Sequence, residues 1–364
     1  MYNLKKFNAI FILLTLFIIT LVGCAKEAPQ TQEKKQETPA PQKAAEVSYP
    51  AGRIYTADED GNTVSVIDTT ENKVVKSVEV KSMPHNVQIS PNGKEVWVAV
   101  VQPGMEAMSG MEHGATGMAG QVWVIDTSTN EVTQKITIGN GPAHVILTPD
   151  GKEAYVTNGV DNNVSVIDTA TYKVKSTVQV GMGPHGLRPS PDGKVVAVAN
   201  LKEDTVSVID TTTKKVTQVK VGNKPAQVAF DPDGKQLYVS LTAENAVAMV
   251  DTGTWKKTMT IPVGKVPIQL FVTPDNKYVY VANQGTKEDP DNRVSVIDVQ
   301  KMAVVKTLET GKGAHGVVVS PDGKFAYITN IYENTVSVID TNKNEVVKNI
   351  QVGKGPNGIT FKKQ

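Results

Sequence analysis

Apolar and polar positions recur along this chain in a unit of about 42 residues. The clearest marker of the unit is a strand-like motif, Val-Ser-Val-Ile-Asp or a close variant, which begins at positions 64, 122, 164, 206, 247, 294 and 336. Successive copies start 58, 42, 42, 41, 47 and 42 residues apart. Repetition at this period predicts an architecture in which each unit is one supersecondary element packed against its neighbours.

Each unit consists of four apolar runs separated by turn signals, as the stretch 144–180 illustrates. Its runs cover residues 144–148, 154–158, 164–168 and 173–180. Thr-Pro-Asp-Gly at 148–151 joins the first two runs and has the residues that a tight turn requires. Short β-rich runs without helical periodicity predict an all-β fold. We therefore predict a seven-bladed β-propeller with four-stranded antiparallel blades.

The two ends of the repeat region, residues 49–364, complete each other. The last unit ends in a strand at 358–361, which stops where its turn should follow. Residues 50–53 and the apolar run at 54–58 supply the missing part. We predict that the N-terminal and C-terminal strands close one blade together, because this closure removes the free sheet edges of an open ring.

The first 24 residues have the pattern of a secretory leader. Lys5 and Lys6 precede an apolar run at 9–22, which is short for a transmembrane helix. The run ends in Leu-Val-Gly-Cys at 21–24, which resembles the bacterial lipobox and implies cleavage before Cys24 and lipidation of its thiol. The alternative is an ordinary leader in which the only cysteine of the chain stands at this place by chance.

Residues 25–48 are rich in Ala, Pro, Gln, Lys and Glu, and Val47 is their only bulky aliphatic residue. Such a segment cannot bury enough apolar surface to fold, so we predict a disordered tether. Acyl chains on Cys24 would anchor this tether to a membrane. The predicted location is the extracytoplasmic face of the cell membrane, or the outer membrane in a host that has one.

Three of the second-strand runs share a sequence pattern: Tyr-Val-Thr-Asn at 155–158, Tyr-Ile-Thr-Asn at 327–330 and Tyr-Val-Ala-Asn at 280–283. They resemble the YVTN-repeat β-propellers, a family of secreted or surface-exposed proteins similar to cytochrome d1 domains and, more distantly, to quinoprotein and WD40 propellers. The resemblance covers roughly 49–363 and implies the fold. It implies no single activity, because propellers host many unrelated functions.

Charge and motif content narrow the functional classes. The formal net charge is +1, and no cluster of Lys and Arg lies outside the leader and tether, so we expect no nucleic-acid partner. The chain has no GxSxG elbow, phosphate-binding loop, HExxH or CxxC motif. The aspartate that ends the strand motif recurs in all seven units, which indicates a turn cap. These observations favour a binding protein over an enzyme.

Four of the five histidines occupy one point of the repeat, the start of the predicted innermost strand. The remaining units have Gln227, Gln269 and Asn357 there, with a one-residue offset between two subsets. Innermost strands line the channel of a propeller, so we expect the imidazoles to surround one channel mouth and to offer a transition-metal site. The alternative is a shared preference for a polar residue after proline. The four histidines are His85, His144, His185 and His315.

An insertion at 102–121 interrupts the repeat between the second and third strands of one unit. It contains four of the ten methionines and the fifth histidine. Thioethers and an imidazole on a flexible loop suit Cu(I) or Ag(I), and the segment resembles the Met-rich copper-binding segments of periplasmic copper proteins. The alternatives are an adaptable interaction loop and a disordered insertion. The candidate ligands are Met105, Met108, Met111, His113 and Met118.

The two candidate features share a surface, because both kinds of loop emerge on the same face of an antiparallel blade. We therefore favour a membrane-tethered protein that binds copper, the one cofactor these residues suggest, through the loop and the channel-mouth histidines. Two alternatives stay open. One is a metal-independent scaffold that docks a protein or glycan on this face, and the other is a propeller that holds a haem or another redox cofactor.

Overall fold

Short β-rich segments and tight turns alternate throughout the part of the chain that the structure describes. The computed structural model describes residues 48–101 and 120–364. The predictions for the leader, the lipidated Cys24, the tether and the methionine-rich loop fall on residues 1–47 and 102–119, outside these ranges. Within the two described ranges, no helix has the length and apolarity that crossing a membrane requires.

The described residues form 28 strands and one 3-10 turn, Glu59–Gly61, which follows the first strand. In chain order the strands are β1 (Gly52–Asp58), β2 (Thr63–Asp68), β3 (Lys73–Glu79), β4 (Met83–Ile89), β5 (Glu95–Val101), β6 (Gln121–Asp126), β7 (Glu131–Thr137), β8 (Pro142–Leu147), β9 (Glu153–Asn158), β10 (Asn163–Asp168), β11 (Lys173–Gln179), β12 (Pro184–Pro189), β13 (Val195–Asn200), β14 (Thr205–Asp210), β15 (Val216–Lys220), β16 (Pro225–Phe230), β17 (Gln236–Leu241), β18 (Ala246–Asp251), β19 (Lys256–Pro262), β20 (Pro267–Val272), β21 (Tyr278–Gly285), β22 (Pro290–Asp298), β23 (Ala303–Glu309), β24 (Ala314–Val319), β25 (Phe325–Asn330), β26 (Thr335–Asp340), β27 (Glu345–Gln351) and β28 (Pro356–Lys363).

The strands assemble into seven four-stranded antiparallel sheets, which are the blades of a propeller. From the inside outward, blade 1 contains β28, β1, β2 and β3. Blades 2 to 7 begin with the inner strands β4, β8, β12, β16, β20 and β24, each followed by the next three strands in order. Each inner strand contacts the inner strands of both neighbouring blades, and β28 contacts β4, so the ring is closed. The predicted seven-bladed fold is confirmed.

Blade 1 is built from both ends of the propeller sequence. β28 pairs antiparallel with β1, with Ile54 opposite Phe361 and Thr56 opposite Ile359. This pairing gives β1 a partner on its inner edge, and β2 covers its outer edge. The prediction that the terminal strands close one blade is therefore confirmed.

Burial depends on how far a strand lies from the axis. Six of the seven residues of β5 are buried, whereas the outermost strand β3 buries only Val78. Apolar side chains of adjacent blades pack face to face, as Tyr55 of blade 1 does with the cluster that includes Trp123 of blade 2. Because burial contributes about 25 cal/mol for each Å² of apolar surface removed from water, these inter-blade layers supply the main stabilisation.

The aspartate that ends each third strand caps the turn that follows it. Asp168 accepts hydrogen bonds at Oδ1 from the backbone N–H of Thr171 (2.9 Å) and from its hydroxyl (2.8 Å). The hydroxyl of Thr169 donates to the carbonyl of Gly151 (2.6 Å), a turn glycine with a φ of +70°. Equivalent backbone caps occur at Asp68, Asp126, Asp210, Asp251, Asp298 and Asp340, which confirms the predicted structural role.

We expect deletion of residues 356–364 to abolish cooperative thermal unfolding, because the deletion removes β28 and exposes the inner edge of β1. Circular dichroism melting curves measure the effect. A matched deletion of the exposed residues 363–364 should leave the unfolding midpoint nearly unchanged. Similar melting curves for the two deletions would contradict the role of strand closure.

Candidate metal centre

Two consecutive positions at the start of each inner strand carry the polar side chains at the centre of the ring. Strand register identifies them, because Pro84 pairs with Val100 in blade 2 as Pro142 pairs with Asn158 in blade 3. The first inner position follows this proline, or Ala314 in blade 7. Listed from blade 2 to blade 7 and then blade 1, its residues are His85, Ala143, His185, Ala226, Ile268, His315 and Asn357. In the same order of blades, the second inner position holds Asn86, His144, Gly186, Gln227, Gln269, Gly316 and Gly358.

The one-residue offset among these side chains has a steric cause. A Cβ atom at Gly186 would overlap the side-chain oxygen of Gln227 in the next blade, and one at Gly316 would overlap the carbonyl of Asn357. The histidine at the first inner position of blades 4 and 7 is therefore followed by a glycine. Blade 2, with His85 and Asn86, and blade 6, with Ile268 and Gln269, have a large residue at both positions.

Three of the four predicted histidines meet at the centre. His85, His144 and His185 are 3%, 0% and 6% exposed, and one ring nitrogen of each lies within 4.8 Å of the others. The ring centroids are 5.8 Å apart for His85 and His144, 5.4 Å for His85 and His185, and 4.8 Å for His144 and His185. We call these three residues the histidine cluster. Its members come from the consecutive blades 2, 3 and 4.

Hydrogen bonds orient two members of the histidine cluster towards each other. Nδ1 of His185 donates to the carbonyl of Ala226 (3.0 Å), so the lone pair of neutral His185 is on Nε2. Nδ1 of His85 faces Oε1 of Glu59 (3.4 Å), and the two Nε2 atoms are 3.4 Å apart. Two nitrogens at this separation, each about 2.0–2.1 Å from one ion, would subtend about 110°, which suits tetrahedral coordination.

The third member, His144, is held differently. The side-chain Nε2 of Gln227 donates to Nδ1 of His144 (3.4 Å), while its Oε1 accepts from the backbone N–H of Val228 (3.0 Å). The proton of neutral His144 is then on its own Nε2, which is buried and has no hydrogen-bond partner in the described part of the chain. Metal ligation through this nitrogen requires the Gln227 amide to turn and accept from Nδ1.

Burial keeps His144 and His185 neutral near pH 7. It lowers the pKa of His144 well below the usual range, with further lowering by His185, His85 and the nearby Arg188. Burial, followed by the charge of His85, lowers the pKa of His185 to about 4. Neutral imidazoles are the form that binds metals.

A cavity of about 10 Å³ lies beside the histidine cluster, at the lower limit of size for one water-sized occupant. Its wall contains His85, His185 and Val101, the last described residue before the insertion. The chain resumes at Gly120, whose N–H donates to the carbonyl of Gly139 (2.9 Å) beside the start of β8. The described residues on either side of the insertion, Val101 and Gly120, thus lie on the face that carries the histidines, and the insertion itself lies outside the described residues.

The fourth histidine of the set does not join the cluster. His315 is buried and donates from Nδ1 to Oε1 of Gln284 (3.1 Å), and its Nε2 has no partner among residues 48–101 and 120–364. Burial, with the charges of His85 and His185, lowers the pKa of His315 to about 3. The other predicted ligands, Met105, Met108, Met111, His113 and Met118, lie outside the described residues.

Sequence reasoning missed two buried carboxylates, Asp58 and Glu59. Asp58 is opposite Pro356, and therefore stands where blades 3, 4, 6 and 7 have Asn158, Asn200, Asn283 and Asn330. Burial raises the pKa of Asp58 to about 6, although it accepts hydrogen bonds from Ser65, Thr56 and Thr63. An alignment of the second strands, ending in Asp in one unit and Asn in four, contains the signal.

Residues 38–301 match the family of lactonase seven-bladed β-propellers. The chain belongs to this family. Residues 285–363 also match the YNCE-like β-propellers. Among curated proteins, antigen Lp49 of Leptospira interrogans is 30% identical over 110 residues, which make up 30% of this chain. The match spans about a quarter, 24%, of the antigen's length.

Solved structures share the fold of this lactonase-family chain. Hydrazine synthase of Kuenenia stuttgartiensis has a TM-score of 0.66 and 22% identity, covering 76% of this chain and 88% of its own. A protein of unknown function from Desulfotomaculum acetoxidans has a TM-score of 0.72 and 16% identity over 85% and 99% of the two chains. Dihydro-heme d1 dehydrogenase NirN has a TM-score of 0.60 and 14% identity over 88% and 77%. At these identities the likeness shows the fold alone.

We expect Asp58→Asn to stabilise the protein at about pH 8, by up to about 3 kcal/mol. The folded-state pKa of Asp58, about 6, lies above its ordinary value of 3.8. Its contribution to stability is therefore fully present below about pH 4 and is lost as the pH rises through about 6. Asn158 shows that asparagine fits this position, because its amide donates to Ser165 (2.9 Å).

Urea unfolding at about pH 5 and pH 8 measures this difference, with the reverse change Asn158→Asp as the matched control. The control should lose stability mainly at the higher pH. A loss of stability in Asp58→Asn at pH 8 would contradict the assignment.

Proposed function

We propose that this propeller binds a transition metal ion, with copper as the preferred ion, through His85, His144 and His185. The observation that carries the proposal is the convergence of three buried imidazoles with ring nitrogens within 4.8 Å of one another. Imidazole ligands suit copper and zinc, and the low pKa values of His144 and His185 keep their rings unprotonated near neutral pH.

The residues of the insertion favour copper over zinc. Soft thioether ligands select Cu(I), and four methionines lie in the loop that leaves the propeller at Val101. In this proposal Met105, Met108, Met111, His113 and Met118 capture the ion at the surface. The histidine cluster then retains it beneath the same face.

The arrangement suits a bare ion better than a macrocyclic cofactor. The cavity beside His85 and His185 measures about 10 Å³, far below the volume of a haem. The two Nε2 atoms are 3.4 Å apart, so one ion about 2.0–2.1 Å from each can bind both from one side of the line that joins them, whereas a macrocycle does not fit between them. Docking of a protein or glycan on this face is the outcome to be expected if metal binding fails.

We also propose that the propeller is tethered to the extracytoplasmic side of a membrane through acyl chains on Cys24. The lipobox-like sequence at 21–24 supports this proposal. Two or more acyl chains bind a bilayer stably, at about 0.8 kcal/mol for each buried methylene. A copper-binding domain held there would meet metal ions before they reach the cytoplasm.

We expect residues 25–364 to bind Cu(I) tightly, and the combined change of His85, His144 and His185 to alanine to weaken binding by more than about 100-fold. Loss of direct ligands should exceed the roughly 10–100-fold that changes around a metal site cost. Competition with a chromophoric Cu(I) chelator measures the affinity.

The matched control is His315→Ala, which removes a buried histidine outside the cluster and should alter the Cu(I) affinity by less than about 3-fold. Deletion of residues 103–120 tests the loop separately. Binding no tighter than that of a methionine-containing control protein, or equal binding by the cluster variant, would refute the proposed site.

We expect the full-length protein to incorporate an acyl label in a bacterial host and to sediment with membranes, whereas Cys24→Ala should do neither. Cys24 is the only cysteine, so the change removes no other thiol. Metabolic labelling with an alkynyl fatty acid and membrane fractionation measure both properties. An unlabelled native protein would instead indicate an ordinary leader.

A further inference from the structure

Glu59 occupies a repeat position at which most blades have no polar side chain directed at the axis. The equivalent residues lie at the end of the second strand or directly after it; in blades 1 to 7 they are Glu59, Val101, Gly159, Leu201, Thr242, Gln284 and Ile331. The N–H of Glu59 donates to the carbonyl of Gly355 (2.9 Å), as that of Gln284 does to Val266 (3.1 Å). Of these residues, Glu59 and Gln284 each contact Nδ1 of a central histidine.

Glu59 is a buried carboxylate without a permanent cationic partner in the described ranges. It is 7% exposed, and its ion-pair partner there is the imidazole of His85, with Oε1 and Nδ1 3.4 Å apart. Its Oε2 accepts from the amide Nδ2 of Asn357 (2.7 Å), an atom that also lies 3.1 Å from Nδ1 of His85. A buried negative charge is costly unless a positive charge lies close to it.

We infer that Glu59 is the positioning residue of the metal centre and the source of its compensating charge. The inference rests on the metal site proposed above. In the tautomer in which Nδ1 of His85 donates to Glu59, the Nε2 lone pair of that ring is directed to the point that Nε2 of His185 also faces. A carboxylate behind a ligating imidazole fixes its tautomer and raises its basicity.

Because Glu59 is charged, its contribution to metal affinity should depend on the charge of the bound ion. The attraction between a carboxylate and a metal ion is proportional to the charge of the ion. Loss of the carboxylate charge therefore weakens the binding of a divalent ion twice as much on a logarithmic scale as that of Cu(I). Loosened packing would weaken the binding of both ions to a similar extent.

The protein itself shows how to remove the charge while preserving the shape. Gln284 occupies the equivalent position and accepts from Nδ1 of His315 (3.1 Å), so a glutamine can orient a histidine there. In Glu59→Gln, the amide of Asn357 must turn to accept from the new amide group. This is feasible because Oδ1 of Asn357 has no hydrogen-bond partner within the described residues.

We expect Glu59→Gln to weaken Zn(II) binding by about 10–100-fold and Cu(I) binding by about 3–10-fold. Chelator competition with each metal alone, on residues 25–364, measures both affinities. Glu59→Asp keeps the charge, so it should restore most of the native ratio between the Zn(II) and Cu(I) affinities. Gln284→Ala, which changes the orienting group of a histidine outside the cluster, is the matched control and should leave both affinities unchanged.

The outcomes separate this inference from the proposal on which it rests. Equal losses for the two ions, or no loss in Glu59→Gln, would overturn the role of Glu59 while leaving the histidine site intact. A native protein that binds neither metal would refute the site and this inference together. Thermal melts of each variant confirm that the propeller is folded before affinities are compared.

Discussion

The antiparallel pairing of β28 with β1 is the constraint on which the remaining structure depends. It closes the ring, and closure forces the starts of the inner strands to converge on one axis. Residues far apart in sequence, His85 and His185 among them, become neighbours for this reason. The same pairing brings Asn357 of the last strand to Glu59, so closure also completes the surroundings of the histidine cluster.

Convergence of polar strand ends at the axis creates a need for hydrogen-bond partners, because buried polar groups are costly when unpaired. Hydroxyls of the second strands meet part of this need by bonding across blades. Thr157 donates to the carbonyl of His185 (2.8 Å), and Ser240 and Thr329 donate similarly to Ile268 (2.6 Å) and Asn357 (2.7 Å). In the histidine cluster, Nε2 of His144 has no hydrogen-bond partner among the described residues, and an ion shared with His85 and His185 would supply one.

The fold could be predicted in detail because its determinants are local and repeated. Turn sequences such as 148–151 and the aspartate caps each lie within one unit of about 42 residues. Because the unit recurs seven times, the same prediction is supported repeatedly. Blade closure was predictable as well, because the incomplete strand at 358–361 required a partner such as 54–58. The resulting ring places the described residues that flank the insertion, Val101 and Gly120, on the face that carries the histidines.

The candidate site was predictable only in part. Sequence placed four histidines at one point of the repeat, but the separation of His315 from the other three depends on angles around the ring. The opposite proton positions of His144 and His185 depend on Gln227 and the carbonyl of Ala226, which both come from blade 5. Glu59 was missed because it stands in the blade divided between both termini, where the repeat is hardest to align.

X-ray absorption spectroscopy of the copper-loaded chain identifies the atoms bound to the ion. A metal centre at the histidine cluster should give nearest neighbours that are mostly nitrogen at about 2.0 Å, with the multiple scattering of imidazole rings, and this signal should be lost when His85, His144 and His185 are replaced. A shell of sulfur alone, unchanged by these replacements, would place the ion on the methionines and contradict a metal centre at the axis of the propeller.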